Sequence, residues 1–342
     1  MSEKRLPRVA IWSMPGSWPL AALLSLAMGL LLSSSLAAQQ PQAAAAAKAA
    51  DDKDETPEPV ELKGTDLLTG DGVSLAATYY PSNLGKKAVP VVLLHSFKGD
   101  RQEFAGLGEY LQKLGYAVLS PDLRGHGGST SQNVDGVAAK LDAARMPLNE
   151  FKNMYAQDLE AIRTFLLKEN DDGKLNLNAL VIVGSEMGAS VAVHFAGYNN
   201  FLRARVEPTL RRMPSPDVKG LVLISPPVAN PTTVSIITGL RSYPPQLKSD
   251  IPMLILVGDG DHKALADAER IYKLIKPSHP DPQNETEKPT FFYGKLQTKL
   301  EGAKLFTVPG LQVKINGYIA QFLKTCVDDQ NYPWRKRQMP GN

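Results

Sequence analysis

An α/β fold, built on a mostly parallel, doubly wound sheet with an antiparallel N-terminal edge, is predicted by two features of this sequence. From Val89 onward, apolar runs of strand length alternate with amphipathic stretches of helical length. Those runs are nearly continuous in apolar character, as strands covered by helices on both faces require.

The elements follow in order. Val60 to Leu62 and Val73 to Tyr79, separated by LTGDG, read as antiparallel edge strands joined by a glycine-rich turn. VPVVLLH from Val89 is a covered strand, followed by an amphipathic helix over Phe104 to Leu114. YAVLSPDL from Tyr116 opens the next unit, whose helix runs from Met154 to Lys168. ALVIVG, Ala179 to Gly184, leads almost without a loop into a helix over Met187 to Ala196. GLVLISPP from Gly220 and IPMLILVGDGD from Ile251 are the next strands, the latter followed by a helix over Ala264 to Ile275. AKLFTVPG from Ala303 reads as the last strand, with Val313 to Leu323 as the closing helix. Thr130 to Phe151, Pro226 to Ser249 and Lys276 to Leu300 are irregular, and the first two are placed to roof a pocket. In an open sheet of this kind ligands bind beyond the carboxyl ends of the strands, so function is sought just after His95, Leu119, Gly184, Ile224, Val257 and Pro309.

The chain of 342 residues divides into residues 1–37 as a signal peptide, 38–58 as a low-complexity linker, 59–326 as the α/β domain and 327–342 as a flexible basic tail. Lys4, Arg5 and Arg8 precede a charge-free run from Leu20 to Leu32, and Ser35 and Ala37 are spaced for a signal peptidase. An exported protein follows, periplasmic or extracellular. The alternative is membrane association through an uncleaved N-terminal segment, giving a membrane-tethered protein, although the run is short against a span of about 20 residues. The formal net charge is +3, and loss of the first 37 residues lowers it further, so charge gives no case for nucleic acid as a partner. Arg335, Lys336 and Arg337 beside Trp334 form a small basic cluster, read as solvated. Cys326 is the only cysteine, which excludes an intramolecular disulfide and CxxC chemistry. No cofactor is expected, since neither GxGxxG nor H-E-x-x-H is present, and no compact His/Asp/Cys group suggests a metal.

Four motifs at strand ends stand out: LLHSFKGD at Leu93 to Asp100, SPDLRGHGGS at Ser120 to Ser129, VGSEMGAS at Val183 to Ser190 and LVGDGDH at Leu256 to His262. Together, in this order, they resemble the α/β-hydrolase family in its peptidase-like and lipase-like lineage, over Val60 to Thr325. The resemblance implies an oxyanion hole formed by the backbone N–H groups of Phe97 and Met187. It implies that Arg124 and His126 are architectural, in a loop whose glycines allow a tight path. It also implies a triad whose nucleophile falls on Glu186 within Gly184, Ser185, Glu186, Met187 and Gly188. The acid falls on Asp261, with Asp259 beside it. The histidine position, in the loop before the last helix, falls on Gln312 in PGLQVKING.

Serine and histidine are thus both replaced, and glutamine cannot shuttle a proton near neutral pH. Ser185 lies one position earlier, and strand alternation sends its side chain away from that of Glu186. His262 adjoins Asp261 and is the best rescue base, while His95, His194 and His279 lie in a buried strand end, a helix and an insertion. The leading expectation is a catalytically inactive, exported binding protein that holds a small molecule or a protein in its pocket. An ester or peptide hydrolase with a displaced triad, using Ser185 or a residue from Thr130 to Ser131 with His262 and Asp261, is the alternative. A carboxylate nucleophile at Glu186 is a third reading, and it needs a base to activate water.

Overall fold

A computed structural model of the chain describes residues 56–202, 216–229 and 234–337. The described strands are β1 Val60–Leu62, β2 Val73–Ser74, β3 Ala77–Tyr80, β4 Pro90–Leu94, β5 Ala117–Pro121, β6 Ser131–Val134 and β7 Val137–Lys140, followed by β8 Leu180–Ser185, β9 Val218–Ile224, β10 Met253–Gly258 and β11 Phe291–Leu296. The main sheet runs β1-β3-β5-β4-β8-β9-β10-β11. β1, β3 and β5 pair antiparallel, and every pairing from β5 through β4, β8, β9 and β10 to β11 is parallel. This is the α/β-hydrolase fold expected from the sequence, a mixed sheet with an antiparallel N-terminal edge.

Strand alternation divides the core into two layers. Val92 and Leu94 of β4 pack on one face with Leu180 and Ile182 of β8, while Val91, Leu93, Val181 and Val183 point to the other. Helices α1 Ala105–Lys113 and α6 Pro309–Leu323 cover the second face through Leu107, Leu111, Ile315 and Phe322. Helices α2 Leu159–Asp171, α3 Met187–Gly197, α4 Ile236–Ser242 and α5 His262–Ile275 contribute to the first face. Every residue of α3 is buried, which suits a helix packed both on the sheet and under α4. The strand order reverses between β4 and β8, and so their carboxyl ends flank the crevice where such sheets take ligands.

Two readings of the sequence are corrected. The stretch after Thr130 contains a hairpin, in which β6 and β7 join β2 in a second sheet. Its turn is Asp135-Gly136, both with positive φ (52° and 85°), the conformation a tight two-residue hairpin favours. The last strand is β11, inside a segment read as irregular, whereas Gly302–Phe306 forms a 3₁₀ turn in place of the expected final strand.

Residues 327–337 are also packed where a flexible tail is expected from the sequence. Asn176 and Asn178 donate side-chain hydrogen bonds to the carbonyls of Tyr332 (2.7 Å) and Pro333 (2.6 Å), and Trp334 Nε1 donates to the carbonyl of Asn170 (3.2 Å). The buried Arg337 guanidinium reaches Asp217 at 2.5 Å. Residues 1–55, on which the expected signal peptide and most of the expected linker fall, lie outside the described residues. The structure gives the expected membrane association and membrane-tethered location no spanning helix: among the described residues none is long and apolar enough to cross a membrane.

Candidate functional site

The turn from β8 into α3 places Glu186 at its apex with φ 46° and ψ −106°. A non-glycine residue held there carries strain of about 1–3 kcal/mol, which the surrounding structure must impose. The imposition is visible. Glu186 N donates to Ile224 O (2.9 Å), and Glu186 O accepts from the amides of Ala189 and Ser190. A Cβ on Gly184 would stand 2.4 Å from the Gly188 backbone, and one on Gly188 would stand 2.2 Å from Leu94 O. Both glycines are therefore required for β8, the start of α3 and the end of β4 to meet so closely.

Opposite the elbow runs the loop after β4. His95 is fully buried, accepts from Leu123 N at Nε2 (2.9 Å) and therefore donates from Nδ1 to Ser96 O (2.7 Å). Burial pushes its pKa down to about 3, so it is a neutral prop for this loop. Ser96 N donates to Glu103 Oε2 (2.8 Å), and Ser96 Oγ donates to Ser185 Oγ (3.0 Å). Among the described residues the amides of Phe97 and Met187 have no protein partner, as an oxyanion hole requires. Behind this loop, buried Arg124 pairs with Asp71, Glu150 and Asp158, each at 2.7 Å, tying three segments together.

Carboxylates dominate the site. Glu186 is half-buried, and among the described residues no hydrogen bond reaches its side chain. Burial, then the charge of Glu301, raise its pKa above the usual carboxylate range, against Lys304 and Lys263. Its Oε1 rests on Gly302, where an added Cβ would stand only 1.9 Å away; Gly302 has φ 54° and donates its N–H to Ser225 Oγ (2.9 Å). Glu103 is pushed up to about 7 by burial, with the charges of Glu186 and Asp100 adding to the effect.

The residues singled out in the sequence are placed as follows. Glu186 and Met187 form the turn from β8 into α3, and Phe97 follows Ser96, whose Oγ bonds Ser185 Oγ on that turn. Ser185 is fully buried and spent on Ser96. Asp261 caps α5, its Oδ1 accepting from Ala264 N and Lys263 N (both 2.9 Å); these bonds hold its carboxyl below the usual range. His262, the first residue of α5, is exposed, and no hydrogen bond of its ring to Glu186 or Ser185 is formed. Gln312 is not at the elbow carboxylate; it lies in the first turn of α6, with its amide against Gly106. The reason is the position of β11: the segment following it is Gln297 to Gly302, so Glu301 and Gly302 face Glu186. His194 bonds Ser235 O and stacks on Tyr155, and His279 bonds Thr290, so none of the five histidines reaches Glu186. Glu103, Glu301 and Gly302 were missed. Recognising FFYGKL as a strand would have found the last two. Among the described residues no three His, Cys, Asp or Glu side chains are grouped to hold a metal ion.

An elbow at the switch point, two free amides beside it and an acid position after the next strand but one define the class of α/β-hydrolase-fold proteins. A family model described as alpha/beta hydrolase fold matches residues 89–242, and the chain has the α/β-hydrolase fold. An esterase of Pyrococcus furiosus is similar in structure, with a TM-score of 0.51 at 18% identity over 78% of this chain and 92% of the esterase. The acylaminoacyl peptidase of Pyrococcus horikoshii is similar with a TM-score of 0.52 at 13% identity, over 83% of this chain and 44% of the peptidase. At such identities the likeness is one of fold. No curated protein matches the chain in sequence.

Proposed function

We propose that this chain is a non-hydrolytic member of the α/β-hydrolase superfamily that uses the elbow to bind a ligand, a small molecule or a protein segment. The observation that carries this reading is Glu186 at the strained elbow apex with no histidine in reach. Serine hydrolysis needs a hydroxyl at that apex and a base to take its proton. Here the apex bears a carboxylate, and the one serine beside it is buried against Ser96. The site offers hydrogen-bond acceptors from Glu186 and donors from the amides of Phe97 and Met187, which suits a cationic or polyhydroxylated ligand. Hydrolysis of a short-chain aryl ester tests the inactive half of the proposal: the wild type is expected to match Glu186→Gln and Ser185→Ala, all at the uncatalysed rate. Turnover removed by Ser185→Ala would overturn it in favour of a displaced triad.

One further observation favours a second reading. Glu103, with a pKa near 7, lies close enough to Glu186 for the two charges to interact. Two neighbouring carboxyls are an arrangement in which one attacks and the other activates water. This reading predicts a covalent ester on Glu186, formed when its carboxylate displaces halide ion from an alkyl halide and seen as a mass shift on its peptide.

A further inference from the structure

A cleft of about 540 Å³ opens at the amino ends of the strands, the opposite end of the sheet from the elbow. Val89 before β4, Tyr116 before β5 and Ala179 before β8 lie in its wall. The packed C-terminal segment forms the other side through Tyr332 and Trp334. Trp334 is fixed by its bond to Asn170 O, and Lys86 Nζ stands 4.1 Å over its ring.

The lining has a consistent chemistry. Leu84 and Leu114 are 51% and 49% exposed, so two large apolar side chains stand partly open to water at the cleft. Gly115 permits this: with φ 92°, a Cβ there would come within 2.5 Å of Leu84. Lys86 and Lys87 both line the cleft, and among the described residues neither forms an ion pair. The one acid in the lining, Asp328, accepts a hydrogen bond from Tyr116 OH (2.8 Å), and burial pushes its carboxyl up. An aromatic wall, exposed leucines and two uncompensated cations favour a ligand with a flat apolar body and a single negative end.

We infer that this cleft is a second ligand site, which takes an aromatic carboxylate with its ring among Leu84, Leu114 and Trp334 and its carboxylate on Lys86 and Lys87. The site is independent of the elbow, since none of its lining residues belongs to the loops after β4, β8, β10 or β11.

Titration calorimetry of the full chain with 2-naphthoate tests this, with 2-naphthamide and inorganic sulfate as comparison probes. The expected result is one naphthoate per chain, with the amide and sulfate each bound at least tenfold more weakly. The Lys86→Gln/Lys87→Gln variant is expected to lose at least tenfold in naphthoate affinity and to stay folded, because neither lysine forms an ion pair among the described residues and Lys86 gives up only its contact with the Trp334 ring. Absence of naphthoate binding to the wild type would overturn the inference, as would equal binding by the double variant. Sulfate bound as tightly as naphthoate would replace the site with a bare oxyanion site. Binding lost in Glu186→Gln would move the ligand to the elbow and overturn it as well.

Discussion

Glu186 carries two costs at once, a left-handed backbone and a half-buried carboxylate facing Glu301. Glycine removes both, so Glu186→Gly is expected to raise stability by about 1 kcal/mol in urea unfolding, after the entropy that glycine costs. Glu103 gives a pH signature. Its folded pKa of about 7 lies above the usual 4.5, so the stability it contributes is fully present below pH 4.5 and is lost as pH rises through 7. Glu103→Gln keeps an acceptor for Ser96 N without the titration. Its unfolding free energy is expected to fall less than that of the wild type between pH 5 and pH 8; equal falls would show that Glu103 is not held in this way. At this scale the sequence is legible where geometry is encoded locally. Gly184 and Gly188 announce the elbow because only glycine tolerates contacts at 2.4 and 2.2 Å. Glu103 is not legible, since nothing in RQEF says that the carboxylate will fold back onto Ser96 N.

At the scale of elements, the helix after β10 decides how Asp261 is understood. Two amides of the first turn occupy its Oδ1, so its local role is that of a cap. Asp261→Ala is expected to cost about 1 kcal/mol of stability and Asp261→Asn a few tenths, because asparagine caps almost as well. Thermal or urea unfolding of the two variants distinguishes this from a charge-dependent role, in which both would lose equally. The covered strands β4, β8, β9 and β10 were legible as continuous apolar runs. β11 was not, because it is the last strand of the sheet, only half-buried over most of its length, and interrupted by Gly294 and Lys295. The short apolar run LF within AKLF took its place, and a run of that length does not distinguish strand from helical turn. That exchange also hid Glu301 and Gly302, which lie against Glu186, whereas Gln312 stands in the first turn of α6.

At the scale of the whole molecule, the C-terminal segment acts as a strap over the amino ends of β8 and β9. Arg337 and Arg163 flank the buried Asp217, and although burial works against its charge, the two guanidinium groups hold its carboxyl below the usual range. Removing one partner from a buried ion network leaves charge uncompensated. Arg337→Ala is therefore expected to cost about 3 kcal/mol in urea unfolding, and a cost below about 0.5 kcal/mol would show that the strap is only laid on the surface. Read as composition, the basic tail looked solvated; its packing depends on Asn170, Asn176, Asn178 and Asp217, which lie more than a hundred residues earlier. The central claim also belongs to this scale, since it concerns what the assembled fold leaves at its elbow. Intact-mass measurement of the full chain after incubation with a serine-directed fluorophosphonate tests it most directly. An unmodified mass is predicted, because Ser185 is buried and no base reaches it; a single adduct that disappears in Ser185→Ala would contradict the account.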